Sequence, residues 1–150
     1  MNALHRLIAT AAVAAAATCA HAGRPCEVKP NTTSDLVRGM NLAAATAERL
    51  DASGAQVVVL ARAGQDLSRY GLAWSHLGFA YREDDGPKSH WRVVHKLNHC
   101  GKADAALYRQ GLAEFFLDQP YRYEAAFAVL SPEAQTRLLP LLRDNARVDD

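Results

Sequence analysis

The sequence lacks an excess of charge of either sign. Its 150 residues include 17 Lys+Arg and 16 Asp+Glu, a formal net charge of +1 at pH 7. Because neutralisation of phosphates dominates nucleic-acid affinity, this balance gives no support to a nucleic-acid-binding function. The chain also lacks a glycine-rich phosphate loop and the motifs H-E-x-x-H and G-x-S-x-G. The sequence therefore contains none of these motifs for nucleotide binding, zinc-protease chemistry or serine-hydrolase chemistry, and no cofactor is predicted.

A long uncharged apolar run stands at the start of the sequence. Arg6 precedes this run over residues 7–20, and Ala20-His21-Ala22 supplies the small residues that a signal peptidase recognises. The three-part pattern is typical of a secretory signal peptide and predicts cleavage after Ala22. The run is too short and too rich in alanine for a membrane span, which needs about 20 strongly apolar residues. We therefore expect an exported protein, periplasmic or secreted, without a stable membrane span after cleavage.

Cysteine is scarce, with three in the whole chain. Cys19 falls within the predicted signal peptide, so Cys26 and Cys100 remain after cleavage. Two cysteines in an oxidising compartment favour a disulfide between them. For Cys100 a buried inert thiol, a nucleophile and a metal ligand are the alternatives, and the sequence leaves them open.

After residue 22 the chain is long enough for one domain and too short for two ordinary domains. We predict an extended lead-in over residues 23–34, a single α+β domain over 35–143, and a polar tail over 144–150 where the chain could be truncated. Hydrophobic periodicity predicts helices over 35–52, 103–118 and from Ser131 onwards, and strands over 56–63, 72–82, 90–97 and 123–130. This order indicates a mainly antiparallel sheet of about four strands with two to three packed helices.

His76 is the first candidate for chemistry. Strand alternation places Trp74, His76, Gly78 and Ala80 on one face. A histidine in such a run is either partly buried with its ring nitrogens hydrogen-bonded, or a general base beside a thiol or hydroxyl. Gly78 is expected to keep that face open, so that a ligand could approach closely.

Cys100 is the second candidate, because it precedes the predicted helix over residues 103–118. The positive end of the helix dipole would favour the thiolate there, as a nucleophile requires. The connector that leads into the His76 strand, residues 66–71, forms either the wall of a site or simply an Asp-capped turn. The residues predicted for a site wall are Asp66, Ser68, Arg69, Ser75, Gly78 and His99. The aromatic residues around Pro120 are expected in the core: Phe115, Phe116, Tyr121 and Tyr123.

A metal site was also considered, formed by His95, His99 and Cys100 with His76 as a fourth ligand. These are ligand types that zinc accepts, but their spacing matches no established zinc pattern. No metal is predicted.

Four blocks of sequence resemble a known family. They are VVVLARAGQDLSRYGLAWSHLGFAYRE, WRVVHKLNHCG, LYRQGLAEFFLDQPYRYEA and VLSPEAQTRLL. With them the chain resembles the bacterial secreted proteins of domain-of-unknown-function family 2145. The strand Ser75-His76-Leu77-Gly78 is also similar to the strand that carries the histidine base in permuted NlpC/P60 papain-like hydrolases. That similarity implies an incomplete papain-like fold with His76 as the base. It also implies that relatives continue past the position of residue 150 into a helix that holds their nucleophile, so that Cys100 corresponds less well to it.

Two functional hypotheses follow. The first, which we favour, is a non-catalytic periplasmic binding or interaction protein on a papain-like scaffold, stabilised by a Cys26–Cys100 disulfide. The second is a thiol hydrolase of the cell envelope that cuts peptide or acyl bonds, with His76 as base and Cys100 as nucleophile. A cell-envelope peptide or protein is the partner expected in either case.

Overall fold

A computed structural model describes residues 30–84, 90–102, 104–146 and 148 of the protein. The predicted signal peptide, Cys26 and most of the predicted turn over residues 84–87 lie outside the described residues. The chain divides into two compact units. The larger unit comprises Lys29–Leu97 and Ala106–Asp150, and the smaller comprises Met1–Val28 and Asn98–Ala105. Of the smaller unit, residues 98–102, 104 and 105 are described.

A five-stranded antiparallel sheet organises the fold. The strands are β1 (Val57–Ala63), β2 (His76–Glu83), β3 (His90–Asn98), β4 (Ala105–Gly111) and β5 (Arg122–Val129). Their order across the sheet is β4-β3-β2-β1-β5. The predicted α+β class with a mainly antiparallel sheet is confirmed, while the predicted count of about four strands is one too few.

The helices are α1 (Thr33–Ala52), α2 (Leu112–Leu117) and α3 (Pro132–Leu142), and a short 3-10 turn spans Ser68–Tyr70. α3 begins as predicted, since the Ser131 side chain accepts a hydrogen bond from Ala134 N–H and Pro132 occupies the first turn. Pro140 lies inside the last turns of α3 instead of ending it. Among the described residues, no helix is long and apolar enough to cross a membrane.

The predicted helix over residues 103–118 is wrong in its first part. Residues 105–111 form the edge strand β4, and helix begins only at Leu112. Alanine, leucine and arginine in this segment favour a helix, but pairing next to β3 overrides the local preference. Gly111, predicted to weaken the middle of a helix, lies in extended conformation at the junction between β4 and α2.

α1 and α2 cover one face of the sheet and form the main core. Its centre combines fully buried side chains from the sheet and from both helices: Leu50, Val58, Leu60, Ala80, Val93, Phe115 and Phe116. The buried face of α1 contains Gly39, Ala43, Thr46 and Leu50, whereas Leu36 and Met40, which the sequence pattern placed on that face, are exposed. Gly39 faces α2, which packs closely against it. A Cβ there would lie 2.7 Å from Leu117 Cδ2.

α3 covers part of the opposite face of the sheet. Val57, Tyr81 and Val94 form a second buried cluster with Leu142 and Val148. Gln135 ties α3 to β1, since its Oε1 accepts hydrogen bonds from the backbone N–H of Gln56 at 2.7 Å and of Val57 at 3.1 Å. Leu77 and Phe79 lie on the same face as Tyr81 and stay partly exposed.

Replacing Thr32 with alanine should lower the free energy of unfolding by about 1 kcal/mol. Thr32 Oγ1 accepts from Asp35 N–H at 3.2 Å, and Thr32 N–H donates to Asp35 Oδ2 at 3.0 Å, so the variant loses a capping box. Denaturant unfolding followed by circular dichroism measures the change. Thr33→Ala, one residue later on the exposed surface, is the control. Equal losses for both variants would contradict a role for the cap.

Candidate functional site

His76 and His95 form a hydrogen-bonded pair on the face of the sheet that α2 covers. His76 is the first residue of β2, and the β2–β3 register aligns Gly78 with His95. The diagonal neighbours on this face are therefore His76 and His95. His76 Nε2 and His95 Nδ1 are 2.6 Å apart, and the two rings meet edge to face with centroids 4.9 Å apart.

The pair continues into a chain of hydrogen bonds towards α2. His95 Nε2 lies 2.6 Å from Gln110 Oε1, and Gln110 Nε2 donates to Glu114 Oε1 at 3.0 Å. An amide oxygen only accepts, so His95 Nε2 carries a proton and donates it. In neutral His95 the other nitrogen, Nδ1, is then an acceptor, and His76 Nε2–H donates to it. The chain thus sets the tautomer of both rings and fixes the orientation of His76.

Phe115 and Arg62 complete the surroundings of the histidine pair. The Phe115 ring centroid is 5.2 Å from that of His95 and 5.8 Å from that of His76. The Arg62 guanidinium lies over the Phe115 ring at 4.6 Å from its centroid and donates to the Phe115 carbonyl oxygen. It also pairs with Asp118 Oδ2 at 2.5 Å. Arg62 is 3% exposed and Asp118 is 46% exposed. The carboxylate of Asp118, at the surface, therefore neutralises the buried positive charge of Arg62 beside the histidine pair.

Burial lowers the pKa of His95 below its ordinary value of 6.5, and the nearby positive charge of Arg62 lowers it further. The hydrogen bond to Gln110 and the carboxylates of Asp118 and Glu114 act in the opposite direction without reversing the shift. His95 is accordingly neutral near pH 7, as the tautomer argument requires.

Stability should fall as the pH drops below about 6.5, the value for an unperturbed histidine. The unfolded chain binds a proton at His95 in this range while the folded chain resists it. The contribution of His95 is therefore fully present above the unfolded pKa and is lost as pH falls towards the folded pKa. Urea unfolding at a series of pH values measures it. His95→Gln should flatten the dependence of the free energy of unfolding on pH. An unchanged slope in His95→Gln would refute the assignment.

The connector before β2 forms an Asp-capped turn. Asp66 Oδ1 accepts from Ser68 N–H at 3.0 Å, a bond that holds the pKa of the Asp66 carboxyl below its usual value. Arg69 stacks on the ring of Tyr70 at 4.4 Å from its centroid. Ser75 Oγ accepts from Gln65 N–H at 2.7 Å and closes the base of the connector. The turn interpretation accounts for these contacts, and the site wall stays a prediction.

The space above Gly78 is filled, contrary to the expectation of an open face. A Cβ at Gly78 would lie 2.8 Å from Val93 Cγ1, 3.0 Å from His95 Cβ and 3.0 Å from the Val94 carbonyl oxygen. Gly78 therefore serves the close packing of β3, and with it the position of His95, instead of receiving a ligand.

Cys100 and His99 lie in the smaller unit, in the connection between β3 and β4. His99 N–H donates to the Asp104 carbonyl at 3.0 Å, and Lys102 N–H donates to the His99 carbonyl at 3.1 Å. A strand follows this turn, so the predicted helix dipole behind Cys100 does not exist. Cys100 is also not a free thiol. Cys26 lies outside the described residues, and the Cys26–Cys100 disulfide and the His76–Cys100 pair stay predictions.

The aromatic residues around Pro120 divide between core and surface. Phe115 and Phe116 are fully buried as predicted, while Tyr121 is exposed. Tyr123 is partly buried and donates its hydroxyl to Asp35 Oδ1 at 2.9 Å. Within the described ranges, no group of three or more His, Cys, Asp or Glu side chains could hold a metal ion.

Sequence reasoning missed Gln110, Glu114 and Arg62 as neighbours of the histidine pair, and it grouped His95 with His76 only as candidate metal ligands. Alternation had already placed His76 on one face of its strand, and the strand over residues 90–97 that contains His95 was predicted. The missing information was the register, which decides whether two residues are opposite, diagonal or far apart. The place of Gln110 and Glu114 beside His95 could not be predicted from the sequence, because their segment was predicted to be one helix instead of a strand followed by a helix.

Residues 49–150 match a family described as an uncharacterized protein conserved in bacteria, DUF2145. The match covers more than half of the chain, which therefore belongs to this bacterial family. The family resemblance predicted from the sequence is confirmed. No curated protein and no solved structure matches the chain. The relation to permuted NlpC/P60 hydrolases, and with it the papain-like fold, stays a prediction.

Proposed function

We propose that the protein is an exported, non-catalytic binding or interaction protein of the bacterial cell envelope, on a scaffold related to the papain-like fold and stabilised by a Cys26–Cys100 disulfide. The setting of Cys100 carries this proposal. A cysteine nucleophile needs a thiolate favoured by a helix N-terminus, a cation or a histidine. Cys100 instead lies in a turn between two strands and is not a free thiol. The pattern of residues 1–22 supports export.

The surface proposed for binding is the end of the larger unit's sheet where β2 begins. Two connections, residues 64–75 and 118–121, meet there, and Tyr121 N–H donates to the Gly64 carbonyl at 3.2 Å. They expose the large side chains of Tyr70, Leu72 and Tyr121. Large exposed side chains on loops of a rigid scaffold are typical of recognition surfaces. A cell-envelope peptide or protein is the class of partner that we assign to this surface.

The state of the thiols tests the proposal. Intact mass is measured after alkylation, with and without reductant. We expect neither Cys26 nor Cys100 to alkylate until reductant is added, and no adduct or disulfide-linked dimer. Cys100→Ser is the matched control, since it should free Cys26 for alkylation without reductant. Rapid alkylation of Cys100 in the unreduced protein below pH 7 would contradict the proposal.

A thiol hydrolase that cuts peptide or acyl bonds is the second candidate. The hydrogen-bonded chain from Glu114 through Gln110 and His95 to His76 favours it, because a base acts best when a third group orients it. His76 would be the base and Cys100 the nucleophile. This candidate requires Cys100 to alkylate quickly without reductant. It further requires His76→Ala to abolish that reactivity and His90→Ala, at an exposed histidine, to leave it intact.

A further inference from the structure

β5 is an edge strand of the sheet. The described sheet ends with β5, which pairs on its inner side with β1. The strand is eight residues long, Arg122–Val129. On the outer side of an edge strand, backbone N–H and C=O groups point away from the sheet and offer a template for another strand.

Two usual protections of an edge, lysine and proline, are missing from β5, and a bulge lies only near its start, where the register with β1 shifts between Arg62 and Ala63. RYEAAFAV contains neither lysine nor proline, and its two charges, Arg122 and Glu124, pair with each other at 3.4 Å. Natural edges are commonly guarded by lysine, proline or inward-pointing charge. The second half of β5 is wholly apolar, so this part of the edge carries no charge that would repel another strand.

The apolar side chains of β5 lie on the core face of the sheet but extend beyond the helix that covers it. Val129 pairs with Val58 and Phe127 with Leu60, and both partners are fully buried. α1 reaches only the start of β5, where Arg38 lies 4.1 Å above the Tyr123 ring. Phe127 is 37% exposed and Val129 is 52% exposed. A continuous apolar edge therefore remains uncovered at the end of the strand.

We propose that a second copy of this chain pairs with β5 in an antiparallel, two-fold arrangement that joins the two sheets. A two-fold axis perpendicular to the sheet pairs only residues of the same face. In a register centred on Phe127, the core-face pairs that form within β5 are therefore apolar, and Tyr123 falls opposite Ser131, beyond the end of the strand. Centring on Phe127 brings each Ala125 opposite a Val129.

The charges of β5 favour this register and a second copy as the occupant. Centring on Phe127 keeps Arg122 and Glu124 away from their own counterparts, so like charges are not opposed. It also brings Arg122 towards the start of α3 in the second copy, where Glu133 supplies a negative charge. Like charges directly opposite in a sheet are destabilising, whereas opposite charges stabilise. The inference does not depend on the proposed binding function.

Sedimentation velocity of the purified protein over a wide concentration range tests the dimer. We expect reversible conversion from monomer to dimer. Val129→Lys should weaken dimerisation at least about tenfold, since a two-fold interface contains each substitution twice. Val37→Lys is the matched control, because Val37 on α1 is 54% exposed and is not part of β5. Hydrogen exchange of the β5 amides should slow as the dimer forms, and a melting curve confirms that each variant is folded.

Several outcomes would overturn the inference. One is a monomer at every concentration, with β5 amides that exchange at a constant rate. Another is a dimer that Val129→Lys leaves intact or that Val37→Lys dissociates, since the interface would then lie elsewhere. Open-ended assemblies would also exclude a closed two-fold pairing.

Discussion

Phe115→Ala should lower the free energy of unfolding by about 3–5 kcal/mol. Phe115 is fully buried in α2, and its ring contacts Phe116, with centroids 5.1 Å apart, as well as both histidines of the pair. The substitution removes the apolar surface that the ring buries and leaves a cavity that the rigid sheet cannot close. It also removes the ring beneath the Arg62 guanidinium. Chemical denaturation measures the loss, provided that the m value is the same for the variant and the original protein.

Phe79→Ala provides the comparison for that variant. Phe79 lies on the opposite face of the sheet and is partly exposed, so it should cost clearly less than Phe115→Ala. A smaller loss in Phe115→Ala than in Phe79→Ala would mean that the core is not centred on α2. The histidine NMR signals should shift in Phe115→Ala and stay in place in Phe79→Ala, because the Phe115 ring contacts His76 and His95.

Gly78→Val should destabilise the protein by about 1–3 kcal/mol or more. Even a Cβ would lie within 2.8–3.0 Å of Val93, His95 and the Val94 carbonyl. All three neighbours belong to the buried part of β3, two as side-chain atoms and one as a backbone oxygen, so none can simply swing away. β2 and β3 must separate, and the 2.6 Å bond between His76 and His95 should break with them. Thermal unfolding and the histidine NMR signals report the two effects.

Gly111→Ala is the control for this prediction. Gly111 has φ −72° and ψ 162°, which alanine adopts readily, and a Cβ there meets nothing within 4 Å. Its free energy of unfolding should change by less than about 1 kcal/mol. If Gly78→Val were as stable as Gly111→Ala and kept its histidine signals, the close approach of β2 and β3 would not be a constraint.

Elements whose signals are local were predicted from the sequence. α1, β1, β3, β5 and α3 all appear close to their predicted positions, because periodicity and caps act over a few residues. β2 begins at His76, four residues later than predicted. Membership of the bacterial family could likewise be recognised from the sequence blocks.

The tertiary structure decided the features that depend on pairing. Residues 105–110 suit both a helix and a strand, and only their place beside β3 makes them β4. The His76–His95 contact depends on the β2–β3 register, which no local signal specifies. Burial of Arg62 likewise depends on Asp118 and on the carbonyl of Phe115, more than fifty residues away. Leu36 and Met40 became exposed because α2 packs against the small residue Gly39. The sequence by itself therefore determined most elements of this protein, whereas long-range packing decided that β4 is a strand and which side chains form the site.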